Sequence, residues 1–291
     1  MTGDRPFALV TGVGLWTLLV VSAGIFGLVL WQGAGSLTPN FLLGGPSSEL
    51  AEGGVGPALV GTVQCTLLMT AAVAPLGIAT GLWLVDYAPR GAWLPRIIRG
   101  AVRLLAAVPS VVFSLFGLGF FVLFLGRGVD AVGRLLGSSP DLGRPSLLWA
   151  SLTLAVLTLP VVIVTTEEAL ARVPRELREA SMALGATRLQ TIIHVELPHA
   201  RAGILTGLIL AISRGAGEVA PILFAGVVSY LPRPSLDPRS GFMHLGYHTY
   251  VLATQAHDAA AAERALFGTA LLLLLFTTTL NAAAAALRAR A

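Results

Sequence analysis

Arg214 and Glu218 stand four residues apart inside an apolar stretch that runs from Gly203 to Val228. Four residues make about one helical turn, so the two side chains share a face and can pair. An arginine at membrane depth costs at least about 2.5 to 3.5 kcal/mol on insertion scales, so the pair must face a bundle interior or a wet cavity. The chemistry that fits is passage of an anion. Arg214 offers a planar, permanently charged fork that matches a tetrahedral oxyanion, and Glu218 neutralises it between anions. A buried pair that only fixes helix register is the plainer reading of the same residues. Gly203, Gly207, Ala211 and Gly215 form a four-residue small ridge, expected opposite the pair, where another helix can approach closely.

A second constellation is polar in an otherwise apolar chain: Glu179-Ala180-Ser181, three residues, Gly185, nine residues, then Val195-Glu196-Leu197-Pro198. Pro174 suits a first helical turn. Leu177, Ala180 and Leu184 recur at i, i+3 and i+7, with Arg175, Glu176, Arg178 and Glu179 on the other face, which predicts an amphipathic helix. Gly185 is placed to cap it, because glycine enters the left-handed conformation freely. Leu189, Ile192 and Ile193 restart a stripe before Leu197-Pro198, so two short helices joined at a glycine are expected. The chemistry here is docking rather than catalysis, with a solvated connector as the plain alternative.

The elements that hold these residues are membrane helices. Of 291 residues 55% are hydrophobic and 12% charged, against about 25% charged in soluble domains, and the mean hydropathy is +0.80. Six stretches reach the roughly 20 apolar residues a crossing needs: Phe7 to Trp31, Pro57 to Val85, Gly100 to Leu125, Ser146 to Val164, Gly203 to Val228 and Ala265 to Leu287. The first is longer than a signal-peptide core and reads as a retained anchor. Residues 1–55 then hold that anchor and an irregular loop, and residues 56–291 the main bundle, with a polar loop at about 167–201. Arginines divide unevenly. Twelve, including Arg90, Arg178 and Arg290, fall on the side of the N-terminus and the polar loop, and six on the other, so both termini and the loop are expected in the cytoplasm.

Several functions are excluded or unsupported. All 19 basic residues are arginine, so there is no lysine for a phosphate-binding ATPase loop. Cys65 is the one cysteine and has no internal disulfide partner. His194, His199, His244, His248 and His257 are scattered; the last pair four apart, His244 and His248, lacks a third ligand, so no metal and no other cofactor is expected. A membrane hydrolase would need a nucleophile paired with a base, and neither Ser110 nor Ser213 has an intramembrane histidine. Asp86 and Arg99, at span ends, read as interfacial anchors. Nothing points to nucleic acid.

The spacing around Glu179 resembles the EAA loop of type I ABC importer permeases, with Ser181 in place of the second alanine and Val195 in place of isoleucine. The resemblance implies an all-α, six-span permease with a cytoplasmic coupling helix. Glu179 would be the polar anchor, Ala180 the close-packing residue and Gly185 the turn, with Ser181, Leu197 and Pro198 completing the motif on a separate ATPase subunit. A narrower likeness follows. Arg214-Gly215-Ala216-Gly217-Glu218-Val219-Ala220-Pro221 is similar to the Arg-x-x-Gly-Glu-x-x-Pro segment of phosphate importer permeases, as is Val108-Pro109-Ser110 through Gly117, where Ser114 replaces a usual glycine. Tyr247-His248 and Leu252 to Gln255 resemble the A-type subunit. Implied partners are a C-type permease, a pair of ATPase subunits, an extracytoplasmic phosphate-binding protein, phosphate as cargo and the lipid of the inner membrane. A sulfate or molybdate importer shares the docking motif; a secondary phosphate carrier or a membrane enzyme leaves it unexplained.

Overall fold

The computed structural model describes residues 4–46, 53–89, 91–138, 140–256 and 258–289; Arg90, His257 and Arg290, counted above, lie outside them. Six helical stretches are long and apolar enough to cross a membrane, and among the described residues no β-strand forms beyond two isolated bridges. The elements are α1 (Asp4–Gly33), α2 (Gly56–Tyr87), α3 (Trp93–Ala107), α4 (Ser110–Leu135), α5 (Leu147–Ala171), α6 (Arg175–Ala183), α7 (Arg188–Gly217), α8 (Leu245–Gln255) and α9 (Ala259–Ala289).

The core surrounds α5, which is apolar on all sides and so belongs at the centre. Its Leu147, Leu154, Leu157 and Val162 are buried with Cys65, Met69 and Val73 of α2, Phe113 of α4 and Ala211 of α7. Small residues bring the backbones together. Gly77 and Gly81 of α2 lie against Val162 and Thr166, and Gly203 and Gly207 of α7 against Ala169 and Thr165, the close approach expected between membrane helices. The glycine ridge is therefore the seam of α7 with α5 and α2. It is not opposite the charged pair: Gly207 and Arg214 are about two turns apart, on nearly the same side of the helix. By contrast α1 is exposed along most of its described length and packs on α9, with close contacts at its end. There Gly33 meets Phe267 and Leu271, and the Ser36 hydroxyl donates to the Arg264 carbonyl at 3.0 Å.

Three expected spans change shape. The third, expected as one helix from Gly100 to Leu125, is broken. Val108 is extended (ψ 132°) because the residue before a proline is pushed out of the helical region. The pieces α3 and α4 still run along α5, with Arg99 beside Glu167, Val102 beside Ile163 and Phe121 stacked on Trp149. The fourth span does not stop at Val164 but continues to Ala171, taking Glu167 and Glu168 out of the expected loop.

The fifth span shifts furthest. It starts at Arg188, passes through a wider π-helical turn at Ile192–Glu196 and stops at Gly217. The π turn lies just ahead of Pro198, whose missing N–H and ring would break a regular ladder. Leu197-Pro198 therefore sits inside a long helix and does not close a short one. At the other end Glu218 is extended (ψ 130°), and Ala220–Ile222, containing Pro221, forms only a 3-10 turn. The backbone beyond is satisfied by protein, as membrane depth demands: Phe224 N–H donates to the Ser114 hydroxyl at 3.1 Å and Ser146 N–H to the Ala225 carbonyl at 2.8 Å.

Candidate functional site

The polar loop is shaped by two local motifs in succession. Helix α6 ends at Leu184, and Gly185 takes φ +88°. Gly185 N–H then reaches the Met182 carbonyl at 3.0 Å and Ala186 N–H the Ser181 carbonyl at 3.2 Å, which is a Schellman closure. Two residues later Thr187 starts α7 with a capping box: its hydroxyl accepts from Gln190 N–H at 3.3 Å while Gln190 Oε1 accepts from Thr187 N–H at 2.8 Å. Stop and start are adjacent, so the elbow is tightly specified. This Thr-x-x-Gln start is a local signal that the apolar periodicity of the loop does not reveal.

The orientation of α6 is set by one residue of its polar face. Arg178, assigned by its periodicity to the polar face with Arg175, Glu176 and Glu179, points inward while those three are exposed. It donates to Asp86 Oδ1 of α2 at 3.2 Å and to the Leu170 carbonyl of α5 at 2.7 Å, and lies 3.1 Å from Glu196 Oε2 at the base of α7. The last contact is an ion pair by distance whose alignment falls short of a hydrogen bond. The side chains of Arg178, Asp86 and Glu196 are 18%, 5% and 4% exposed, so one guanidinium serves two buried carboxylates. Asp86 is thus no interfacial anchor, and Arg99 likewise pairs with Glu167 of α5 at 2.7 Å. Ser181 adds a second tie, its hydroxyl 3.0 Å from that of Thr191.

With Arg178 and Ser181 turned in, the apolar stripe of α6 turns out. Leu177, Met182 and Leu184 are 38%, 48% and 91% exposed, and Glu179, Ala180 and Gly185 are exposed beside them. Leu197 packs on the buried cluster of Ala169, Leu170, Val173, Ala200 and Ile204, holding the base of α7 on α5; Pro198 is exposed. The expected docking residues therefore divide: Glu179, Ala180 and Gly185 form an outer surface, whereas Ser181 and Leu197 fasten the loop to the bundle.

Arg214 and Glu218 meet where α7 ends. Arg214 Nε lies 3.5 Å from Glu218 Oε1, with the side chains 49% and 23% exposed. Glu218 caps the helix and does not continue it. The level of the pair is set by its neighbours. The Ser213 hydroxyl donates to the Thr277 carbonyl at 3.2 Å, and Gly215 lies against Met69 and Thr158; those three residues are near the middles of α9, α2 and α5. One face of the pair is thus covered by the bundle and the other is open.

Two other histidines are structural. His244 accepts from Gly246 N–H at 3.2 Å as the cap of α8. His248 is buried one turn on. Burial pushes both imidazoles down to about 4, so they are neutral.

Against this geometry, comparison with known proteins is informative. Residues 74–291 match the family described as "Binding-protein-dependent transport system inner membrane component". The chain is 32% identical over 219 residues to the probable ABC transporter permease protein YqgI of Bacillus subtilis, covering 74% of this chain and 69% of that protein. It is 32% identical over 214 residues to the probable phosphate transport system permease protein PstA of Methanocaldococcus jannaschii, covering 73% and 69%. Its fold resembles that of a bacterial ABC transporter involved in import of the acidic polysaccharide alginate, with a TM-score of 0.60 at 16% identity over 97% of this chain and 95% of that one. The broken spans and the clasped elbow thus belong to a membrane-spanning permease subunit of an ABC importer, and the chain is a member of the family of inner membrane components of binding-protein-dependent transport systems.

Proposed function

We propose that this permease carries inorganic phosphate into the cytoplasm as one half of a heterodimeric pore, with a C-type permease as the other half. The loop between α5 and α7 then lies in the cytoplasm with both termini, consistent with the arginine bias. Of a pair of ATPase subunits, one engages α6, and an extracytoplasmic phosphate-binding protein delivers the anion at the other end. The relatives called phosphate permeases support the cargo, as does the Arg214–Glu218 pair, an anion-sized fork with its own counter-charge.

The observation that carries the coupling role is the outward apolar stripe of α6 on a helix fastened from behind by Arg178 and Ser181. A groove on the ATPase subunit would cover Leu177, Ala180 and Leu184. Because the clasp joins α6 to α2, α5 and α7 at once, closure of the ATPases would move these helices together. Alternating access would then turn the open face of Arg214 from the binding protein toward the cytoplasm.

Co-purification tests this reading. With Leu177→Glu and Leu184→Glu the permease is expected to fold and lose its ATPase partner, and with Arg214→Gln to keep that partner and lose phosphate uptake. Retention of the ATPase by the first variant would remove the docking assignment. Normal uptake by the second would remove the anion path.

A further inference from the structure

Below Arg214, along the same side of α7, a cavity of about 560 Å³ opens between α5, α7 and the end of α9. Leu210 and Gly207 form its upper wall, one and two turns from Arg214. Its lining takes side chains from three different helices: Arg172 at the end of α5, His199 on α7 and Arg288 on α9. Thr165 and Thr206 supply hydroxyls, and Glu168 a carboxylate. Arginines that serve only the positive-inside bias have no need to share a cavity with hydroxyls.

The polar atoms divide into donors and acceptors in a particular way. Thr165 spends its hydrogen on the Val161 carbonyl at 2.8 Å, and Thr206 on the Ala202 carbonyl at 2.7 Å, so toward a ligand both oxygens act as acceptors. His199 Nδ1 lies 2.6 Å from the Val195 carbonyl; a carbonyl only accepts, so Nδ1 carries a proton, and in that tautomer Nε2 is an acceptor. Glu168 is an acceptor as well. Its contact with Arg172 is 4.0 Å long with side chains 62% and 79% exposed, too weak to hold the arginine back. The donors are the guanidinium groups of Arg172 and Arg288.

We propose that this groove is a second oxyanion site, on the exit side of Arg214, selective for a tetrahedral oxyanion that still carries protons. Such a ligand offers charged oxygens to the two arginines and its one or two P–OH groups to acceptors drawn from Thr165, Thr206, His199 and Glu168. Phosphate at neutral pH meets both demands; sulfate carries no proton and leaves every acceptor facing an oxygen. The site deepens the phosphate reading and rests on it for the direction of travel, but its binding chemistry is separately measurable.

The test is equilibrium dialysis of radiolabelled phosphate and sulfate against the nucleotide-free transporter, co-purified with its native subunits and placed in phosphatidylcholine nanodiscs. Arg172→Gln combined with Arg288→Gln is expected to weaken phosphate binding about tenfold or more, whereas Arg214→Gln keeps this component within about twofold because it leaves the groove's own donors intact. Glu168→Gln is expected to raise sulfate binding, since the amide can donate where the carboxylate repels; misfolding does not produce that gain. Unchanged phosphate binding in the double variant overturns the site. So does loss confined to Arg214→Gln, which leaves the anion path standing. If discs containing phosphatidylglycerol occupy the two arginines and phosphate does not displace the lipid, the groove holds a headgroup and the free-anion proposal falls. Failure of the phosphate reading itself appears elsewhere, as absence of phosphate uptake with groove binding intact.

Discussion

The two charged centres of this permease are built in opposite ways. Around Arg178 one cation reaches two carboxylates and a carbonyl drawn from α2, α5 and α7, and the side chains are nearly sealed from solvent. Around Arg214 one cation meets one carboxylate at 3.5 Å from the end of its own helix, and half of the arginine is open. The first centre draws its partners from three helices of the chain and fixes their geometry. The second is left incomplete, as a site that must receive and release something has to be. Charge buried in a membrane protein therefore does not announce its role by depth alone; the number of elements that converge on it separates a fastening from a path.

That contrast is open to attack through stability, starting with the largest effect. Arg178→Met strands Asp86 and Glu196 without their cation, and breaking a buried ion pair costs about 3 to 5 kcal/mol. Thermal unfolding in detergent should show a large drop in midpoint, with loss of the ATPase partner. Arg178→Lys should recover part of it, because a single ammonium restores the charge but not the two-sided fork. A midpoint unchanged in Arg178→Met would end the claim that this arginine is a fastening.

Smaller effects test the elbow. Gly185→Ala places a side chain at φ +88°, a conformation that costs non-glycine residues about 1 to 2 kcal/mol, and should loosen α6 enough to appear as faster amide exchange in α6. Thr187→Ala removes the cap on α7 and should cost about 1 kcal/mol, read by the same exchange at Arg188 to Gln190. At the bottom of the series, Arg214→Gln should change the unfolding midpoint hardly at all, since exposed pairs are worth about 0 to 1 kcal/mol, while abolishing uptake. If Arg214→Gln destabilised the protein as much as Arg178→Met, the two centres would be alike and the distinction would fail.

What could be read from the residues follows the range of the interactions. The elbow was legible because its causes are local: the apolar stripe of α6 and the left-handed glycine lie within a short window, whereas Leu197-Pro198 proved to lie inside α7. The pairing of Arg214 with Glu218 was legible from i, i+4 spacing, and their depth holds against Met69, Thr158 and Thr277. Hydropathy misled at the ends of the spans. Residues 218–228 are as apolar as a helix, yet Pro221 and the needs of Ser114 and Ser146 make them irregular; Val108-Pro109 hid in the same way within the third span. The partners of Arg178 could not be found from periodicity at all. Asp86 is 92 residues away in sequence, and on a helical wheel Arg178 belongs to a polar face whose other members, Arg175, Glu176 and Glu179, are exposed.

The most direct test of the whole account is ATP hydrolysis by the reconstituted complex, with its binding protein, in the presence of phosphate, sulfate or molybdate, for wild type and Arg214→Gln. Stimulation by phosphate alone in the wild type, and its loss in Arg214→Gln with basal hydrolysis intact, is the result predicted. Equal stimulation by the three anions, or undiminished phosphate stimulation in the variant, would contradict it.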